Sequence, residues 1–403
     1  MKLPLICLSA IIIYGQTLSA FTTTAKSAIL LDRLTNTVLF EKNADAVMTP
    51  SSMSKLMTCY GVFKKLGEKK LALDDTFLIS EKAWRKGGSK MFVKVDTSVS
   101  VESLLRGAIV QSGNDACIAL AEGMEGSEDR FASYLNRVAK DIGLSGKSYF
   151  SNATGWPDPK HLMTPRDLTI LARRLIVDYP QYYHYFKEKE FTYNGIRQVN
   201  RNSLLFTMPH VDGLKTGHTE KGGYGLVFSA NKNDMNLIGV VNGLKTAKER
   251  NQEARRLLDW GYREFISQQF YKKGDIVEEA PTWLGKKPTV PLVVDQDVAF
   301  VISKAPGQQP KISVQYKSPV VMPVHKGQKV GVLSIQIDGK THQQPLYAGE
   351  SVPRKGFLGR MSGAVKHILW GRKAAKKTPD DQNTQDQRTK DITVIKLPPK
   401  AES

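Results

Sequence analysis

Two short apolar runs open the chain after its leader: Ala28-Ile29-Leu30-Leu31 and Thr37-Val38-Leu39-Phe40 flank Leu34-Thr35-Asn36, a pattern that predicts a β-hairpin. A helix is predicted to open near Ser51-Ser52, behind Pro50, and to run through Leu56, Met57 and Val62 toward Gly67. Leu104, Leu105 and Ile109, then Ile118 and Leu120, then Leu168, Leu171 and Leu175 recur at roughly helical spacing, so the middle of the chain reads as helix-rich. From Leu205 the period changes. Tyr224 to Ser229 and Leu237 to Val241 predict a second hairpin around Asn231-Lys232-Asn233, followed by a helix containing Leu257, Leu258, Trp260 and Phe265.

Beyond about residue 268 the pattern becomes short β-like runs, Val298 to Ile302, Ile312 to Tyr316 and Val330 to Ile337, with Asp338-Gly339 as a hairpin turn. That segment reads as a separate small β domain. In residues 355–373, Phe357, Leu358, Met361, Val365, Ile368 and Leu369 cluster on one side of a helical wheel. Arg360, Lys366, His367 and Lys373 mostly lie elsewhere, giving a basic amphipathic helix suited to a membrane interface; the alternative is a helix packed on its own protein. Gly359, Gly363 and Gly371 weaken helix propensity there, so folding is expected to need a surface. The tail, 374–403, is polar and rich in Gln, Asp and Lys, a composition expected to be disordered.

At the other end, Lys2, a mostly apolar run from Leu3 to Tyr14 and the ending Leu18-Ser19-Ala20 follow the order of a secretory signal peptide, residues 1–20. An uncleaved anchor is the other reading, but the run is shorter than the roughly 20 residues of a spanning helix. Export places the protein in the periplasm or on the outer face of the cytoplasmic membrane. A chain of 403 residues with 41% hydrophobic residues is too long for one ordinary domain and ample for a core, so two domains are expected.

Of three cysteines, Cys7 would leave with the leader. Cys59 and Cys117 then form no disulfide framework, and in apolar helical contexts they read as buried free thiols. Their spacing suits neither zinc nor a redox motif, and no metal or other cofactor is expected. The net charge of +19 raises nucleic acid as a partner, yet no nucleic-acid-binding signature is present and export argues against it. Anionic lipid head groups or an anionic wall polymer fit better.

Three short motifs carry the chemistry. Ser52 and Lys55 are three apart at a helix start, which puts both side chains on one face. A lysine whose pKa is pulled toward neutrality can take the serine proton. Alone, Ser-x-x-Lys is a weak signal, since most such pairs are solvated helix surface. Ser112-Gly113-Asn114 follows an apolar helical stretch, however, and Lys215-Thr216-Gly217 opens the segment leading into the second hairpin. In this order the three make the set found in penicillin-binding proteins and class A β-lactamases. Ser229-Ala230-Asn231 and Lys245-Thr246 are decoys, the first ending a strand after Lys-Thr-Gly and the second lacking the glycine. As a working set, Lys55 would deprotonate Ser52, Ser112 would relay a proton to the leaving group and Asn114 would hold the substrate amide. Lys215 would favour neutral Lys55 and attract an anionic substrate. Gly217 would let substrate lie against the strand edge. Backbone N–H groups of Ser52 and His218 are the natural oxyanion donors.

The resemblance goes beyond the motifs. Ser112-Gly113-Asn114-Asp115-Ala116-Cys117, Val211 to Thr219 and Pro50 to Thr58 resemble segments of the low-molecular-mass penicillin-binding proteins, the serine-type D-alanyl-D-alanine carboxypeptidases. Ser51 and Ser54 stand where that family often has alanine and threonine. Asn200-Arg201-Asn202, and Asn152-Ala153-Thr154-Gly155 followed by His161 and Asp167, are also similar to family segments. The resemblance implies that Arg201, with Thr216, recognises a terminal carboxylate and that the loop around His161 borders the site. The blander readings are a loop-packing histidine and a helix N-terminal Asp167 after Thr164-Pro165. It further implies an α/β (α+β), transpeptidase-like and β-lactamase-like catalytic domain, 26–266, in which helices flank an antiparallel sheet with Lys215 on an edge strand. A small all-β domain, 268–353, and the anchor helix, 355–373, would follow.

The activity so implied is removal of the terminal D-Ala from peptidoglycan stem peptides through an acyl-enzyme on Ser52, with β-lactams as covalent inhibitors. Three alternatives stay open. An efficient class A β-lactamase is disfavoured because no glutamate lies between Phe150 and Asp167. A D,D-endopeptidase would use the same triple. A non-catalytic wall scaffold would have no need of Ser52, Lys55, Ser112, Asn114 and Lys215 together.

Overall fold

A computed structural model describes residues 21–305, 309–337 and 339–356. The leader, all but the first two residues of the 355–373 helix, and the tail lie outside the described residues. The chain divides into two compact units, one ending at Ile266 and the other beginning at Ser267.

The first unit is built on a five-stranded antiparallel sheet in the order Val38–Lys42, Ser27–Asp32, Met235–Leu244, Gly223–Lys232, Val211–Thr219. The N-terminal hairpin sits at one edge, and the strand carrying Lys215, Thr216 and Gly217 forms the other. Both faces are covered, as period-2 strands buried on two sides require. Ile29, Leu31, Ile238 and Val240 join a core with Leu56, Phe63, Leu104, Leu120, Phe131 and Leu171 from the helices. On the opposite face Leu30 and Leu237 meet Gly261 of the helix Ala247–Glu264. Thr164 caps the helix Pro165–Asp178 by accepting from Asp167 N, with proline at the first turn.

Two expectations shift. The second hairpin turns at Asn233-Asp234 (φ 51° and 62°), further along than Asn231-Lys232-Asn233, because strand pairing continues to Lys232↔Met235. Both turn residues are of the type that tolerates left-handed backbone. Phe265 does not belong to the preceding helix but starts the strand Phe265–Tyr271.

The second unit is all β among its described elements. Its main sheet runs Lys311–Tyr316, Lys329–Ile337, Lys340–Ala348, Thr289–Val293, Ile276–Trp283, Val320–Val321, with only the last pair parallel. The pairing Ile337↔Lys340 closes a hairpin across Gly339 (φ 75°), a conformation open to glycine.

Candidate active site

The segment that carries Ser52 begins with a short 3-10 turn, Ser51–Ser54, and continues as the helix Lys55–Gly67. Ser51 is left-handed (φ 52°), and so is Ser112 (φ 65°), which follows a π-helical turn, Gly107–Gln111, and precedes the helix Asn114–Glu125. Strained single residues and π turns of this kind concentrate at working sites.

Lys55 is completely buried, and its Nζ lies 2.8 Å from Ser52 Oγ. Its other neighbours are both carbonyl oxygens, Asn114 Oδ1 at 2.8 Å and Thr154 O at 2.6 Å. Those two can only accept, so they take two N–H bonds, and the remaining tetrahedral position of the amine faces the serine hydroxyl. Burial lowers the Lys55 pKa to about 8, with the Arg201 charge acting in the same direction. Lys215 is buried too, and burial, then the charges of Lys55 and Arg201, push its pKa well down. Two ammonium groups share one water-poor site, an arrangement that favours loss of a proton from the pair.

The Thr154 carbonyl is aimed by Asn152, whose Oδ1 accepts from the backbone N–H groups of Thr154, Gly155 and Trp156. Gly155 (φ 73°) lets this loop press on the turn Ser51–Ser54, since a Cβ there would stand 2.0 Å from Ser51 O. Asp115, next to Asn114, is fully buried and accepts from Met91 N, Phe92 N and Val93 N. Asn114 Nδ2 donates to Gly87 O at 2.8 Å. The loop 86–93 is thereby fastened to the helix that carries Asn114.

Thr216 and Gly217 are buried on the edge strand, whereas His218 is exposed and stacks on Tyr224 at 3.8 Å between ring centroids. Gly217 serves packing: a Cβ there would lie 2.9 Å from Pro50 O and 3.1 Å from Met53 N, so glycine lets the strand meet the turn Ser51–Ser54. The expected reason, room for substrate along the strand, is thus supplemented by an internal contact. Arg201 is exposed and held between two amides. Asn202 Nδ2 donates to Gly213 O on the edge strand and Asn200 Oδ1 accepts from Asn202 N.

His161 is buried, with Nδ1 accepting from Ser151 N at 3.2 Å and its edge on Phe150. Burial lowers its pKa to about 4. Asp167 accepts from Ser145 N and Ser145 Oγ. His161 packs within its loop and Asp167 stands in the first turn of the helix Pro165–Asp178, as the blander readings have it. Cys59 and Cys117 are buried and free. Sequence reasoning passed over Asp115 and Asn152 as working parts, although an acid at a helix start and Asn two residues before Thr-Gly both signal local backbone capping.

Residues 15–246 match the family model described as D-alanyl-D-alanine carboxypeptidase. The chain belongs to that family. Residues 265–354 match the model described as penicillin-binding protein 5, C-terminal domain, so an α/β carboxypeptidase domain is followed by an all-β domain of known type. Among this family's members, D-alanyl-D-alanine carboxypeptidase DacA of Escherichia coli strain K12 is 39% identical over 351 residues, 85% of this chain and 87% of that one. The crystal structure of penicillin-binding protein 5 from Haemophilus influenzae is similar with a TM-score of 0.74 at 35% identity, over 84% of this chain and 100% of that chain. Penicillin-binding protein D2 from Listeria monocytogenes, in its ampicillin-bound form, is similar with a TM-score of 0.56 at 27% identity, over 60% of this chain and 99% of that chain. These matches favour a carboxypeptidase over the endopeptidase, β-lactamase and scaffold readings.

Proposed function

We propose that this chain is a serine-type D-Ala-D-Ala carboxypeptidase acting on peptidoglycan stem peptides, with Ser52 as nucleophile and Lys55 as its base. The observation that carries this assignment of roles is the placement of Lys55 Nζ, buried between two carbonyl acceptors and 2.8 Å from Ser52 Oγ. Ser52 Oγ attacks the carbonyl of the last peptide bond while its proton passes to Lys55. Backbone N–H groups of Ser52 and His218 receive the developing oxyanion. The C–N bond then breaks, the leaving amine takes a proton by way of Ser112, and D-Ala departs. Water, deprotonated by the same base, cleaves the ester and frees Ser52.

Asn114 holds the substrate amide, and Arg201 with Thr216 binds the terminal carboxylate. Arg201 makes no ion pair among the described residues, which leaves its charge free for that use. Lys215 and Gly217 line the same edge strand. β-Lactams, which bind the Listeria monocytogenes relative, acylate Ser52 here as substrate mimics. The enzyme works outside the cytoplasmic membrane, exported by residues 1–20 and held at the membrane surface by the basic amphipathic segment 355–373, a reading that rests on sequence pattern alone.

Intact-mass measurement with penicillin, beside D-Ala release from a peptide ending in D-Ala-D-Ala, tests the proposal. Both signals are expected in the wild type and neither in Ser52→Ala. An adduct without D-Ala release would return the endopeptidase or scaffold reading, and no adduct would remove Ser52 from its role.

A further inference from the structure

A hollow of about 370 Å3 opens at the end of the sheet where the edge strand Val211–Thr219 turns back into Gly223–Lys232. Lys26, Val47, Thr49, Lys221 and Asn242 are among its lining residues. Thr49 and Lys221 also line a second hollow of about 230 Å3 that reaches Pro157 and Asp158. The turn bearing Lys221 is joined directly to the turn Ser51–Ser54. Thr219 Oγ1 lies 3.0 Å from Ser51 Oγ and accepts from Gly222 N at 3.0 Å. Gly222 is pressed on the same segment, since a Cβ there would stand 3.0 Å from Thr49 O.

The lining is chemically one-sided. Lys26 and Lys221 are exposed, and among the described residues neither ammonium makes an ion pair or a hydrogen bond. Lys26 is nevertheless held in place. Asn43 Nδ2 donates to its carbonyl at 2.8 Å, and its methylenes cross Gly243 (φ 81°), where a Cβ would lie 2.6 to 2.8 Å from them. Asn242 adds a buried amide whose Nδ2 reaches Gly222 O only at a long 3.5 Å. Val47, 52% exposed, supplies an apolar wall. Asp158, in the second hollow, has its Oδ1 turned to Lys160 N. Two ammonium groups beside an amide donor match a carboxylate.

The direction of the substrate leads to this hollow. In the carboxypeptidase reading the terminal carboxylate lies at Thr216 and the oxyanion at His218 N. The stem peptide therefore runs antiparallel to the edge strand, and its earlier residues pass Thr219 toward Lys221. At about 3.3 Å per extended residue, the reach from His218 to that turn is one of about two or three substrate residues.

We propose that the hollow is a binding site for a carboxylate carried by the stem peptide on the second residue before D-Ala-D-Ala, held between Lys26 and Lys221. This rests on the carboxypeptidase reading, which sets the polarity of the bound chain.

Two peptides test it. In both, the second residue before D-Ala-D-Ala is a glutamyl joined through its γ-carboxyl, with its α-carboxylate free in one and amidated in the other. For the wild type at low salt, kcat/KM for D-Ala release is expected to favour the acid over the amide by about five-fold, the scale of one partly screened ion pair. The ratio is expected to fall toward one at high salt and in the double variant Lys26→Met/Lys221→Met, where the amide peptide reports any general damage. Lys272→Met/Lys273→Met, which removes the same charge from exposed positions in the second unit, is expected to keep the wild-type ratio. A ratio of one in the wild type, or a preference that survives in Lys26→Met/Lys221→Met, overturns the site. An equal fall in Lys272→Met/Lys273→Met also overturns it, because the preference would then belong to the general positive field of the protein. Release of D-Ala from neither peptide, while penicillin still labels Ser52, would instead bring down the carboxypeptidase reading and the site with it.

Discussion

Asp115 Oδ2 accepts a hydrogen bond from the backbone N–H of Phe92 at 2.9 Å, and Phe92 itself is left-handed with φ 67°. One buried carboxylate thus holds a strained turn in the loop that carries Gly87 and Gly88. Asp115→Ala leaves the N–H groups of Met91, Phe92 and Val93 without their acceptor and is expected to cost about 2–3 kcal/mol of stability, the scale of hydrogen bonds to a buried charge. Urea unfolding measures this; an unchanged midpoint would mean that the loop is held from elsewhere.

Acylation is expected to follow the neutral fraction of Lys55. Burial lowers that pKa to about 8, so the rate of penicillin labelling should rise with pH and level off above about 8. A flat profile between about pH 6 and about pH 10 would exclude Lys55 as the base. The same shift has a stability sign. The unfolded chain binds this proton more tightly than the folded one, so burial of Lys55 weighs against folding below about 8. That penalty is relieved as pH rises toward the ordinary lysine value of 10.5.

Gly217→Ala places a Cβ 2.9 Å from Pro50 O and 3.0 Å from Met53 Cγ, which the turn Ser51–Ser54 can accommodate only by moving. Displacement of Ser52 on the scale of 1 Å is expected to slow acylation on the order of 100-fold. Stopped-flow labelling with a chromogenic cephalosporin reports it, and wild-type rates in a folded variant would show that the turn and strand adjust without cost to catalysis.

Gly155→Ala meets Ser51 O at 2.0 Å from a backbone with φ 73° that disfavours any side chain. The loop must lift, taking the Thr154 carbonyl away from Lys55. Both a loss of about 2–4 kcal/mol in stability and a slower acylation are expected. Loss of stability with full acylation would show that the Thr154 contact is dispensable.

Residues 355–373 lie largely outside the described structure, and their amphipathic pattern carries its own test. Removing residues 355–403 should shift the mature protein from the membrane fraction to the soluble one. The attachment of the intact chain should weaken with salt as charge attraction to anionic lipid is screened. Unchanged fractionation would sink the anchor.

The elements were legible wherever their causes are local. The hairpin at Ser27–Lys42, the helix start behind Pro50 and the strands Val298–Ser303 and Lys329–Ile337 follow from periodicity and turn residues that neighbours in sequence decide. Boundaries moved where pairing across the sheet overrode local signals, as at Asn233-Asp234, or where a helix gave way to a strand, as at Phe265.

By itself the sequence determined which residues are present in the right order: Ser52 with Lys55 on one helical turn, Ser112 with Asn114, and Lys215 with Thr216 and Gly217. Only the tertiary structure decided that Asn114 Oδ1 and Thr154 O, 59 and 99 residues from Lys55, close around its amine. It also decided that Lys55 and Lys215 are buried together, that Asp115 fastens the 91–93 backbone and that Gly217 must lack a side chain. The reason is physical: a spacing of three within a helix is set by the local geometry of the turn. Desolvation of an ammonium group and convergence of distant carbonyls exist only once the sheet, the helices and the loop at 152–156 have packed around them.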